Sequence, residues 1–257
     1  MKFSIFSSAI LLSAVMLTGC SEEKSENEQM THAISLAKNG NWQEAGEIAD
    51  NLTGNSSTSV APKLLQIVAY EKSGELDKAA DLALQCAKNN PRDFTSQYLL
   101  GRLYAMDSKR DGEAFEVLER ALQLRPGDIN TLILLCNLGV RRNEPNTGKY
   151  LEELVTKTKL SNAELAKAYY MRGLYLYKNG DTAMAFSSMD QARNLCRRDN
   201  PELLLQIARF VDNAGDRGNE AGYIYRLFII LYGKTPNPDP AKLQEARLRE
   251  QQLLGRR

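Results

Sequence analysis

Gly40-Asn41-Trp42-Gln43-Glu44-Ala45, Gly74-Glu75-Leu76-Asp77-Lys78-Ala79 and Gly180-Asp181-Thr182-Ala183-Met184-Ala185 are three copies of one phrase, a turn opened by glycine with an alanine five positions on. Looser copies run from Gly215 to Ala221 and from Asp107 to Ala114. The alanines at 45, 79, 114, 185 and 221 are spaced by 34, 35, 71 and 36 residues, and the gap of 71 holds one degenerate unit around Asn143–Leu154. A period in this range marks stacked supersecondary units, none of which can bury its apolar face alone. Small residues at fixed places let helices approach closely, and larger apolar ones fill what remains.

The pattern resembles the tetratricopeptide repeat, a helix-turn-helix unit. The third unit carries Leu100-Gly101 and Tyr104 on its first helix, then Ala114, Leu118, Ala121 and Pro126. The second offers Tyr70, Ala79, Ala83, Cys86 and Pro91; the fifth offers Tyr169, Gly173, Ala185, Met189 and Ala192, with Arg197 where proline is expected. Helix signals keep the same phase. Ser161-x-x-Glu164 is a capping box, and Asn200-Pro201 and Asp239-Pro240 each place a cap before a proline in the first turn. Units are expected at about 26–59, 60–93, 94–128, 129–165, 166–200 and 201–235. The resemblance implies an all-α fold: a right-handed α-solenoid of about six hairpins, closed by a polar capping helix over 241–257.

The first residues address the chain. Lys2 precedes an apolar stretch from Ile5 to Leu17, which ends on Leu17-Thr18-Gly19-Cys20. This is the order of a secretory signal, and the stretch is shorter than the roughly 20 apolar residues a membrane span needs. The ending resembles the bacterial lipobox, which implies cleavage after residue 19 and lipidation of Cys20. Ser21 after the cysteine, rather than Asp, implies an outer-membrane destination facing the periplasm if the host has two membranes. Residues 20–29 read as a flexible tether, because Ser21–Gln29 holds four Glu, one Lys and no apolar residue. The solenoid then spans 30–235, and a Pro-rich linker with the capping helix spans 236–257. The arginines of that helix, Arg247, Arg249, Arg256 and Arg257, read as a solvated cap in preference to a lipid contact.

No catalytic constellation is legible. His32 is the only histidine and is expected on a packing face. Cys86, Cys136 and Cys196 lie inside helical apolar patterns, where a free thiol acts as a small hydrophobe. There is no CxxC, nucleophile elbow, P-loop or dinucleotide fingerprint, so the sequence predicts no metal, no cofactor and no enzyme. A formal charge of +1 over 257 residues gives no basic excess for nucleic acid.

The family resemblance places a concave groove on the first helices of the hairpins. It implies a partner-binding stripe of Tyr98, Arg102, Ile133, Asn137, Tyr170, Leu174, Tyr177 and Arg209. Part of that stripe is equally open to being core between hairpins. Met30, Leu64, Ile34 and Val68 stand where chaperone-binding members carry a carboxylate clamp, so the expected partner is an amphipathic helix or an extended apolar segment. Lipobox and repeats together resemble the pilotins of type IV pili and the tetratricopeptide lipoprotein of tight-adherence pili, implying a scaffold for pilus or secretin biogenesis. The second reading is an adaptor for peptidoglycan enzymes or outer-membrane protein assembly, and the third is an enzyme.

Overall fold

The computed structural model describes residues 21–55, 59–157, 159–196 and 200–255. Residues 1–20, and with them the stretch read as a secretory signal and Cys20, lie outside the described residues, as do Arg197, Arg256 and Arg257. Among those described, the regular structure is thirteen α-helices and one short 3-10 turn. They fall into two compact units that divide at Pro126 and Gly127.

The first unit is three hairpins. They are α1 (Ser21–Lys38) with α2 (Trp42–Asn55), α3 (Val60–Lys72) with α4 (Leu76–Asn89), and α5 (Phe94–Tyr104) with α6 (Asp111–Leu124). The extra residue before Ala114 is absorbed in a 3-10 turn, Ser108–Arg110, capped by the Asp107 carboxylate. The second unit also holds three: α7 (Ile129–Arg142) with α8 (Thr147–Lys157), α9 (Asn162–Lys178) with α10 (Thr182–Leu195), and α11 (Pro201–Asn213) with α12 (Gly218–Tyr232). A last helix, α13 (Pro240–Leu254), packs on α12. The six hairpins and the cap expected from the repeat are therefore present.

The repeated phrase works as its residues require. Gly40, Gly74 and Gly180 take φ of 86°, 82° and 85°, a region costly for any residue with a Cβ. Each turn returns the same bond to the helix before it: Asn41 N–H to Leu36, Glu75 N–H to Tyr70 and Asp181 N–H to Leu176. These bonds satisfy carbonyls that the helix end would otherwise leave open. In the degenerate unit Asn143 takes the left-handed place (φ 58°), and Glu144 N–H returns to Gly139 in the same way. Ala45, Ala79, Ala114, Ala185 and Ala221 are all fully buried. Counting five on from Asn143 gives Gly148, whose Cα faces the ring of Tyr175 on α9.

The first hairpin is held by Ala33, Ala37, Ala45 and Ala49 around Met30, Leu52 and Leu65. The second unit has a larger core, centred on Leu204, Ile207, Tyr225 and Phe228. Cys86, Cys136 and Cys196 are free and buried; burial pushes the Cys196 thiol up to about 12 and raises Cys86 and Cys136 as well.

Three expectations need correction. The stretch 21–29, read as a tether, is the start of α1. Glu, Gln and Lys are good helix formers, and a polar run that cannot fold alone can extend a helix already nucleated by Met30, Ala33 and Ala37. His32 is exposed on α1, not packed. Asn200 precedes α11 as expected, but its side chain makes no cap bond, and Pro201 alone marks the start. The other two signals hold: Ser161 and Glu164 exchange both capping-box bonds, and Asp239 accepts from Ala241 N–H at 2.9 Å. No helix among the described residues is long and apolar enough to cross a membrane.

Candidate protein-binding surfaces

In the first unit, the two residues expected to line a groove lie inside the packing. Tyr98 is 6% exposed and stacks on Phe94, with ring centroids 5.8 Å apart. Arg102 spreads over Tyr98 and pairs with Glu71 of α3. Both partners of that pair are nearly buried, so it serves as a cross-tie between the first helices of two hairpins. Leu64 and Val68 are buried too. The sequence places these residues on the right helices, but the neighbouring hairpin fills the space a partner would need.

In the second unit, the stripe is partly open. Ile133 and Asn137 on α7 are half-buried, and the Asn137 amide donates to the Ile133 carbonyl of its own helix at 2.8 Å. Tyr170 and Leu174 on α9 lean on the core, and burial raises the Tyr170 hydroxyl pKa against the pull of Arg209. Tyr177 is exposed and meets Phe210 of α11 edge-on, with centroids 5.1 Å apart. Arg209 is exposed and grips Glu245 of α13 with two bonds, at 2.7 and 2.5 Å. The structure thus brings Tyr170, Leu174, Tyr177 and Arg209 into one neighbourhood. It also gives the arginine a partner on the capping helix.

Two further surfaces escaped the sequence reading. On α12, Tyr223, Leu227 and Ile230 form an outward stripe, 55, 36 and 49% exposed. A helix apolar on all sides is normally buried on all sides, and that spacing could have exposed the anomaly. The other is a cavity of about 220 Å³ in the first unit, between Trp42 and Tyr70. Nothing in the repeat phrase marks Trp42 as the wall of a cavity, and Asp50 and Gln66 carry no motif. Among the described residues no group of three His, Cys, Asp or Glu is placed to hold a metal ion.

Comparison with known proteins agrees with this architecture. Residues 64–129 match the tetratricopeptide repeat model. The structure of Pseudomonas aeruginosa PilF is similar at a TM-score of 0.63 and 16% identity, covering 89% of this chain and 99% of that one. The MSR-1 form of MamA is similar at 0.57 and 18% identity over 66% of this chain and 96% of its own. The AMB-1 form gives 0.57 and 16% over 67% and 92%. At these identities the likeness is one of fold. A search of curated proteins finds no match to the sequence.

Proposed function

We propose that this tetratricopeptide-repeat chain is a scaffold anchored to the cell envelope through a lipid on Cys20, serving pilus or secretin biogenesis. The coarser part rests on the fold: repeat hairpins present side chains from successive helices to a protein partner. The observation that carries the finer part is the extent of the likeness to PilF, which takes in 99% of that chain and therefore its whole architecture. The resemblance of Leu17-Thr18-Gly19-Cys20 to a lipobox points the same way. Tyr170, Leu174 and Tyr177, backed by Phe210, offer an aromatic and aliphatic surface of the kind that takes the apolar face of a helix.

The decisive experiment removes the gene and follows secretin multimers and surface pili. Loss or mislocation of the multimers, restored by the intact chain, is the expected result. Normal multimers and normal pili would end the proposal, and cross-linking in intact cells would then identify which other envelope machine the chain serves.

A further inference from the structure

The formal charge of +1 conceals a division. Residues 21–126 carry 17 Asp and Glu against 12 Lys and Arg, whereas residues 127–257 carry 15 against 20. The first unit is acidic, and it also contains the cavity that packing leaves open. That cavity lies between α2 and α3, helices of neighbouring hairpins. Its floor is tight, since a Cβ built on Gly46 would stand 3.0 Å from the Cβ of Ala69. The missing side chain at Gly46 lets α2 and α3 come this close, and Trp42 and Tyr70 stand among the walls of the cavity.

The polar groups there are organised. Gln66 is 6% exposed, and its amide nitrogen donates to Asp50 Oδ1 at 2.7 Å and to Tyr70 Oη at 3.3 Å. Both side-chain N–H groups are thereby used, and the carboxylate and phenol are fixed in place. Among the described residues no hydrogen bond takes Asp50 Oδ2, and none is donated by the Tyr70 hydroxyl. A held carboxylate in a cavity walled by two aromatic rings attracts a cation, and a flat guanidinium can pair with the one while packing on the other. The rings already draw the chain's own cations, for Lys72 lies 5.9 Å from the Trp42 centroid and Lys78 lies 5.5 Å from that of Tyr70. Lys78 is committed to Glu75, and both lysines sit at the outer limit of useful range, so a better-fitting cation can displace them.

We propose that the Trp42–Asp50–Gln66–Tyr70 cavity receives an arginine side chain from a basic peptide segment of the partner. The acidic first unit draws the segment in, and the cavity fixes its register. This does not depend on the pilus reading, since a chain serving another machine would keep the same cavity.

Trp42 is the only tryptophan, so its emission reports on this site alone. The full purified chain is titrated with a capped, unstructured peptide carrying three arginines among glycine and serine. A second peptide has citrulline, a neutral isostere, in their place, and calorimetry runs in parallel. The expected result is saturable binding of the arginine peptide, weakened about tenfold in the citrulline peptide and in Asp50→Asn. Raising sodium chloride from about 0.05 to about 0.5 M should weaken it further. Asp50→Asn preserves the oxygen that accepts from Gln66, and an unchanged melting temperature confirms the fold. Equal response to both peptides, unaltered binding by Asp50→Asn, or no heat and no emission change would each overturn the assignment.

Discussion

At the scale of single residues, close helix approach makes a few positions intolerant and one unexpectedly permissive. A Cβ on Gly101 would lie 2.6 Å from Cγ of the fully buried Leu118. Gly101→Ala is therefore expected to cost about 2 kcal/mol through overpacking, read as a lower melting temperature or denaturant midpoint. Thr147 is the reverse case. It is fully buried against Gly139, and its hydroxyl has no hydrogen-bond partner among the described residues. Thr147→Val keeps the shape and removes the orphaned polar group, so the melting temperature should stay level or rise, by up to about 1 kcal/mol in stability; a marked fall would show that the hydroxyl is in use. Cys86, Cys136 and Cys196 should resist a thiol reagent in the native protein and react only on unfolding, because burial raises all three pKa values. Mass spectrometry before and after denaturation reads this directly.

At the scale of elements, α13 is the informative piece. Its apolar side is narrow: Ala246 is buried, and Leu253 and Leu254 close over Gly218 and Gly222 of α12. Ion pairs supplement it, joining Lys242 to Glu202, Arg209 to Glu245, Arg226 to Glu250 and Arg249 to Asp212 at 2.5–2.7 Å. Asp212 is nearly buried and also accepts from the Tyr225 hydroxyl at 3.2 Å, so Arg249→Ala should cost about 2 kcal/mol, more than an ordinary surface pair. The Arg209 guanidinium holds Glu245 below the usual carboxylate range, and the Ser161 hydroxyl and backbone do the same for Glu164. A depressed carboxylate stabilises the fold above its unfolded pKa, and that contribution is lost as pH falls through the folded value. Protection of α13 and the start of α9 in hydrogen exchange should accordingly decline below about pH 4.5. The hairpins were legible in advance because turn glycines at positive φ and alanines at contact points leave few substitutes. Even the degenerate unit showed its place through Asn143, a residue that tolerates the left-handed region. The helicity of 21–29 was not legible, since a polar run looks alike whether it is free or continues a helix.

At the scale of the whole molecule, the site was harder to read than the fold for a physical reason. Repeat phase says which helix carries Tyr98 and Arg102, but packing against the preceding hairpin decides whether they remain open, and Glu71 lies some thirty residues away in sequence. Asp50, Gln66 and Tyr70 likewise come together only when two hairpins dock. On the proposed function, the lipid on Cys20 matters at this scale. Cys20→Ser should leave the melting profile unchanged and move the chain from the membrane to the soluble fraction; if pili still assemble, the lipid only concentrates the protein.

The division of charge between the two units also bears on how the protein handles as a particle. A chain of pI about 7.6 is expected to pass through ion exchangers near neutrality. One that keeps acid and base in separate halves presents each resin with a surface of opposite sign. At low ionic strength it should be retained on anion and cation exchangers alike, and released from both by modest salt.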